Sequence, residues 1–159
     1  MHPTKALPVG TPMKIKDLLA PSDVLVDFAA SNKRELLNIL AARAANGLKL
    51  STDSVVSDIQ KRDELGSTGI GGGVSIPHAR LREVQRPCGL LARLKQPVDY
   101  QAIDGQPVDL VFLLLLPASS QLDQLNALAT VARKLRDQTV LRRARIAGSA
   151  SELYRAMTE

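Results

Sequence analysis

Cysteine is nearly absent from this chain. Cys88 is the only one in 159 residues, so no intrachain disulfide can form. One Cys and two His also fall short of a closed zinc site, which takes about four ligands, and no metal is expected. Aromatic residues are scarce as well, with no Trp, two Tyr and two Phe. The core must therefore come from Leu, Val, Ile and Ala, and bases would find few rings to stack on. Long apolar runs are missing: the longest, Leu110 to Leu116, is far below the roughly 20 residues that span a membrane. The N-terminus has no apolar stretch of signal-peptide type. These absences predict a soluble, cytoplasmic protein with no membrane insertion. Charge is present but not concentrated. The net value of +5 is spread along the chain, and its densest group, Arg142, Arg143 and Arg145, falls late in a predicted helix. No nucleic-acid partner is expected; a basic face suits an acidic protein partner or a phosphoryl group.

The length suits one domain with a real core. Residues 1–12 hold three prolines without periodicity and read as a flexible tail, leaving 13–159 as the domain. Met13 to Ala20 predicts a short helix stopped by Pro21, and Val24 to Phe28 a strand. Ser31 or Asn32 caps a helix with Leu36, Leu37, Leu40, Ala41 and Ala44 on one face, ended by Gly47. A second helix starts at Thr52 or Asp53, carries Arg62 near its end and stops at Gly66. Val74 to Pro77 and Gly89 to Lys95 read as strands, with Gln96-Pro97 as a turn. Asp109 to Leu116, closed by Pro117, predicts a strand buried on both faces. A stripe from Leu122 to Leu135 and two shorter segments, Val140 to Ile146 and Ser151 to Met157, predict three final helices. Interleaved helices and strands give an α/β class with helices on both sides of a sheet.

Chemistry concentrates after Arg62. Gly66 to Gly73 contains five glycines in eight residues. Such a run can take positive φ and bring amide N–H groups close to an anion. The nucleotide loops do not fit. A Walker A loop counted from Gly66 needs Lys where Gly72 stands, and a dinucleotide fingerprint from Gly69 and Gly71 needs a small residue where Val74 stands. The run also enters a strand rather than a helix. No cofactor is expected. What remains is a phosphate-friendly segment followed by His78. Imidazole is a nucleophile near neutral pH, and a phosphorus–nitrogen bond is labile. Phosphoryl transfer asks mainly for positioning and charge stabilisation, which Arg62, Ser67, Thr68 and the loop amides of Gly69 and Gly71 are placed to supply. A hydrolase is disfavoured because no Gly-x-Ser-x-Gly elbow is present. Asp99, Asp104 and Asp109 read as turn and strand-start residues rather than a carboxylate set.

From Arg62 to His78 the chain reads RDELGSTGIGGGVSIPH, which resembles the active-site segment of fructose/mannitol-type enzyme IIA proteins of the phosphotransferase system. Ala102 to Leu110, AIDGQPVDL, is similar to the nitrogen-regulatory branch of that family, as is the ending through Leu153 and Tyr154. The resemblance covers residues 13 to 157. It implies a compact α/β domain with a mixed, mostly parallel sheet between helices. It implies that His78 accepts a phosphoryl group on Nε2, with Nδ1 held by a backbone carbonyl, and that Arg62 neutralises the added charge. The implied donor is an HPr-like phosphocarrier (NPr in the nitrogen branch), loaded by an enzyme I relative that uses phosphoenolpyruvate. The implied output is regulation of targets such as transporters or kinases of nitrogen and potassium metabolism. Two alternatives stay open: a sugar-specific enzyme IIA that feeds a IIB domain, and a regulatory protein that acts by binding alone. One position departs from the family. Where a second histidine is usual, early in the helix after the Leu-rich strand, this chain has Gln124. Gln124 can donate a hydrogen bond to a phosphoryl oxygen but cannot carry charge.

Overall fold

The computed structural model describes residues 12–159. All of the expected 1–12 tail except Pro12 lies outside the described residues. The fold is organised by its most apolar strand, β6 (Val108–Pro117). Side chains on a strand alternate faces, and here the alternation makes two cores. Leu110, Phe112, Leu114 and Leu116 pack with Ala127, Val131, Leu135, Leu141 and Leu153 on one side. Val111, Leu113 and Leu115 pack with Leu36, Leu40, Val55 and Ile59 on the other. Burying a Leu or Ile side chain contributes about 1.5–3 kcal/mol, so a strand apolar on both faces is strongly held at the centre.

Strands flank β6 in the order β1 (Val24–Phe28), β5 (Cys88–Val98), β6, β3 (Val74–Ser75), β2 (Gly69–Gly71), and β4 (His78–Leu81) also pairs with β6. The pairs β1–β5, β3–β6 and β4–β6 are parallel, while β5–β6 and β2–β3 are antiparallel. Helices α2 (Lys33–Leu48) and α3 (Thr52–Leu65) cover one face of this mixed sheet. The other face is covered by α1 (Ile15–Leu18), α4 (Gln121–Arg136), α5 (Gln138–Ile146) and α6 (Ala150–Thr158). The result is a single α/β domain with helices on both faces. Its helices start at caps readable in the sequence: Asn32 Oδ1 accepts from Glu35 N at 2.8 Å, and Ser149 Oγ accepts from Glu152 N at 3.1 Å. Each such cap is worth about 1 kcal/mol. No helix of the described residues is long and apolar enough to cross a membrane.

Several boundaries differ from the sequence expectation. Gly47 does not end α2. The helix continues through Leu48, and Lys49 takes the left-handed position at φ 58°. The closing bond from Leu50 N to Ala45 O, 2.8 Å, turns Leu48 and Leu50 against the core, so packing rather than glycine sets the end. Gln96-Pro97 is not a turn. β5 runs on to Val98, and its register slips between Arg93 and Val98, a bulge that accommodates the missing proline N–H. The strand expected over Val74 to Pro77 is part of one line beside β6, in two pieces. Val74, Ser75, His78 and Leu81 lie opposite Leu110, Val111, Leu114 and Pro117 in constant register, interrupted only at Ile76-Pro77.

Candidate functional site

That interruption positions His78. Pro77 has no N–H to give, though its carbonyl still accepts from Leu114 N at 2.9 Å. Ile76 N points away from β6 and donates to Thr68 O at 2.9 Å. The Ile76 carbonyl is then open to the imidazole, and His78 Nδ1 lies 2.9 Å from it. A carbonyl oxygen only accepts, so Nδ1 carries the proton and Nε2 presents its lone pair. His78 is half-buried at the start of β4. Burial lowers its pKa from the ordinary 6.5, and the Arg62 and Arg80 guanidiniums lower it further against the opposing pull of the Ile76 carbonyl. The neutral ring is the favoured form at pH 7.

Ala79 and Leu81 of β4 pack on the α2–α3 side. Alternation therefore turns His78 and Arg80 toward the opposite face. An open cleft of ≈ 400 Å³ separates β4 from the end of α3, lined by Asp58, Lys61, Arg62, Glu64, Leu65, His78, Ala79 and Arg80. Arg62 sits in the last turn of α3 with Nη1 donating to Gly66 O at 3.0 Å. Ser67 is half-buried; its Oγ donates to Tyr100 O at 3.2 Å and accepts from Gly69 N at 3.1 Å. Thr68 is buried, with Oγ1 donating to Asp63 Oδ1 at 3.2 Å and 2.9 Å from the Tyr100 hydroxyl. Gly69 is required by close approach: a Cβ there would lie 2.8 Å from Ala102 Cβ.

The remaining expected residues are placed elsewhere. Gly69 to Gly71 is a strand, and Gly71 to Gly73 is the hairpin turn that joins it to β3. The turn lies at the Leu110 level of β6 and His78 at the Leu114 level, roughly 13 Å along the strand at 3.3 Å per residue. Gly71 therefore does not share the His78 cleft, and the loop is not a continuous phosphate cradle. The turn is taken up by its own contacts. Gly72 N donates to Asp104 Oδ2 at 2.9 Å. Arg145 clasps Asp109 through Nε–Oδ2 at 3.1 Å and Nη2–Oδ1 at 3.0 Å, and also holds the Gly72 carbonyl. Gln124 lies in the α4 stripe with Ala127, Val131 and Leu135, on the sheet face toward which His78 turns. It is buried, and its amide Nε2 donates to Pro117 O at 2.9 Å rather than to the histidine.

Two sets of residues around the candidate site escaped the sequence. Arg80 brings a second guanidinium beside His78, and the period of two on a strand is the signal that could have placed it. Asp63, Lys33 and Tyr100 surround Thr68, with Lys33 Nζ 2.5 Å from Asp63 Oδ2 and 4.5 Å from the centre of the Tyr100 ring. No spacing rule relates these three. A smaller and more enclosed cavity, ≈ 190 Å³, lies beside Asp23, Arg43 and Cys88, away from His78. Burial pushes the Cys88 thiol up to about 12, so it is un-ionised there. Among the described residues, no three His, Cys, Asp or Glu side chains converge as for a metal. A neutral imidazole with one free nitrogen, two guanidiniums and an open approach can take an electrophilic phosphorus centre and balance its charge.

The comparisons with known proteins agree with one another. Residues 17–159 match the family model described as phosphoenolpyruvate-dependent sugar phosphotransferase system, EIIA 2. The chain is similar to a nitrogen regulatory protein of Bradyrhizobium diazoefficiens, at 42% identity over 142 residues covering 89% of this chain and 93% of that one. Its fold is similar to the crystal structure of nitrogen regulatory protein IIA-Ntr from Neisseria meningitidis, with a TM-score of 0.85 and 31% identity over 91% of this chain and 99% of that one. It is also similar to IIA mannitol of Escherichia coli, with a TM-score of 0.72 over 86% of this chain and 97% of that one; at 15% identity this likeness concerns fold alone.

Proposed function

The chain belongs to the EIIA 2 family of the phosphoenolpyruvate-dependent sugar phosphotransferase system, and on that premise we propose that its phosphoryl group is carried on Nε2 of His78. The observation that carries this reading is the 2.9 Å contact of Nδ1 with the Ile76 carbonyl, which fixes the tautomer and leaves Nε2 as the free nucleophile. The Nε2 lone pair attacks phosphorus on the donor's phosphohistidine. The phosphorus–nitrogen bond of the donor breaks, and its electron pair returns to the donor ring. No proton need be removed from His78, because the lowered pKa already keeps Nε2 bare. Arg62 and Arg80 balance the charge on the incoming oxygens. Ser67 and Thr68 hold the backbone around them, since their hydroxyls are engaged with protein groups.

The donor in this reading is an HPr-like phosphocarrier in the cytoplasm. The output is regulatory: two charges added at His78 change which protein the rim of the cleft will dock. The similar proteins named nitrogen regulatory protein favour that output over delivery to a sugar-specific IIB domain. The domain is read as residues 13–159.

The test is a phosphotransfer assay with phosphoenolpyruvate and the enzyme I and HPr-like proteins of the same source. Native protein should acquire acid-labile, base-stable label, and His78→Ala none. Label persisting in His78→Ala would overturn the assignment.

A further inference from the structure

Resting on the reading of His78 as acceptor, we propose that Lys33 and Asp63 are positioning residues that set its imidazole through a line of hydrogen bonds. The line starts on α2, where Lys33 Nζ lies 2.5 Å from Asp63 Oδ2. The other carboxylate oxygen, Oδ1, accepts from both Thr68 N at 3.3 Å and Thr68 Oγ1 at 3.2 Å. Thr68 O accepts from Ile76 N at 2.9 Å. Ile76 O faces His78 Nδ1 at 2.9 Å. Each link holds the residue that makes the next one, so the ring is oriented from a lysine on a different helix. The backbone of the same residue leads to the nearby cation. Asp63 O accepts from Gly66 N at 3.2 Å, and Gly66 O in turn holds Arg62 Nη1 at 3.0 Å.

A purely structural role does not account for this geometry. The α2–α3 contact is already made by Leu37, Leu40, Val55 and Ile59, and by Gln60 Nε2 on Asn38 Oδ1 at 2.7 Å. An ion pair serving only to join the helices would not need both donors of Thr68 on its second oxygen. Tyr100 completes the clamp, with its ring under the Lys33 ammonium and its hydroxyl 2.9 Å from Thr68 Oγ1. Lys33 and Asp63 side chains are only 16% and 12% exposed, so little of the pair is open to solvent. A half-satisfied network there would leave Thr68 free to shift, and a small shift is transmitted to the carbonyl that sets the histidine tautomer.

The experiment compares native protein with Asp63→Asn, Lys33→Met and Lys33→Arg. Nitrogen-15 NMR of His78 reads tautomer and pKa, and phosphotransfer is measured against donor concentration. Asp63→Asn should lower the transfer rate at saturating donor about tenfold with half-saturation unchanged, as for a small misplacement of a reacting group. The Nδ1–H tautomer should lose population in the same variant. Lys33→Met should move both readouts the same way by less, and Lys33→Arg should restore them. Where Asp63→Asn does not fold, the two Lys33 variants carry the test. Folded variants with native His78 nitrogen shifts and native rate would overturn the proposal. Were the native protein to take no label while Asp63→Asn still altered the tautomer, the acceptor reading would fall and the positioning line would stand.

Discussion

The run from Gly66 to Gly73 has two ends that do unlike work. At the near end, Gly66 to Thr68 lies beside Arg62 and is joined through Thr68 and Ile76 to His78, behind the open cleft that Arg62 and His78 line. At the far end, Gly71 to Gly73 turns at φ 96°, 66° and 80° under Asp104, Asp109 and Arg145, and every polar group named there is bonded to protein. A glycine-rich stretch before a histidine invites one explanation for all its glycines. The two ends show two: Gly66 ends α3 with open space around it while Gly69 closes on Ala102, and a tight hairpin fixes the edge of the sheet. Chemistry should fail at one end and stability at the other.

The sharpest division is expected from Arg62→Ala. It removes a cation from the cleft but no buried contact. Loss of one charge-assisted interaction of about 1.5–3 kcal/mol lowers transfer roughly 10–150-fold. The melting temperature should stay near native, and a large drop would show that Arg62 braces the loop instead. The far end should give the reverse. Gly73→Ala places a Cβ 2.6 Å from Arg145 Nη2 and 2.9 Å from Asp109 Oδ1 at a positive φ. A cost of about 2 kcal/mol is expected in denaturant unfolding, with the transfer rate of the folded fraction unchanged. A rate loss exceeding the stability loss would join the two ends into one site.

Gln124 offers a smaller and more equivocal test, since it lies on the histidine's face of the sheet yet serves a strand end. Gln124→Ala removes the shorter of two bonds to the Pro117 carbonyl, from Nε2 at 2.9 Å, and leaves the longer one from Ser120 N at 3.4 Å. About 1–2 kcal/mol of stability should be lost in the same unfolding measurement. The lifetime of the phosphohistidine should change by less than about twofold, because the amide is already engaged.

Much of this architecture was legible because it follows from period and punctuation. The continuous run Leu110 to Leu116 announced a doubly covered strand, and Asn32 and Ser149 announced helix starts. The family motif singled out His78 and Arg62. What was not legible depends on tertiary contacts. Nothing local tells that Pro97 falls on a bulge, that Lys49 rather than Gly47 turns the chain out of α2, or that Gly71 is drawn toward Asp104 and away from His78. Asp63 reads as one more charge at a helix end. Only the packing of α2 and Tyr100 against it makes it the centre of a network.

The finest test concerns proton binding at His78. Its pKa lies below 6.5, first because the ring is buried and then because Arg62 and Arg80 stand near, with the Ile76 bond acting the other way. The unfolded chain therefore binds the proton more readily than the folded one. The stability tied to the neutral ring is present above pH 6.5 and is lost as pH falls through the lowered folded value. Transfer should follow the same curve, with full rate at pH 7 and an inflection on the acid side of 6.5. Arg80→Gln removes one of the two cations without touching the buried face of the ring. The inflection should rise and remain below 6.5, because desolvation is the larger cause. An inflection that moved up past 6.5 would mean that the guanidiniums, not burial, keep the nucleophile bare, and an inflection that did not move would remove Arg80 from the near end of the comparison.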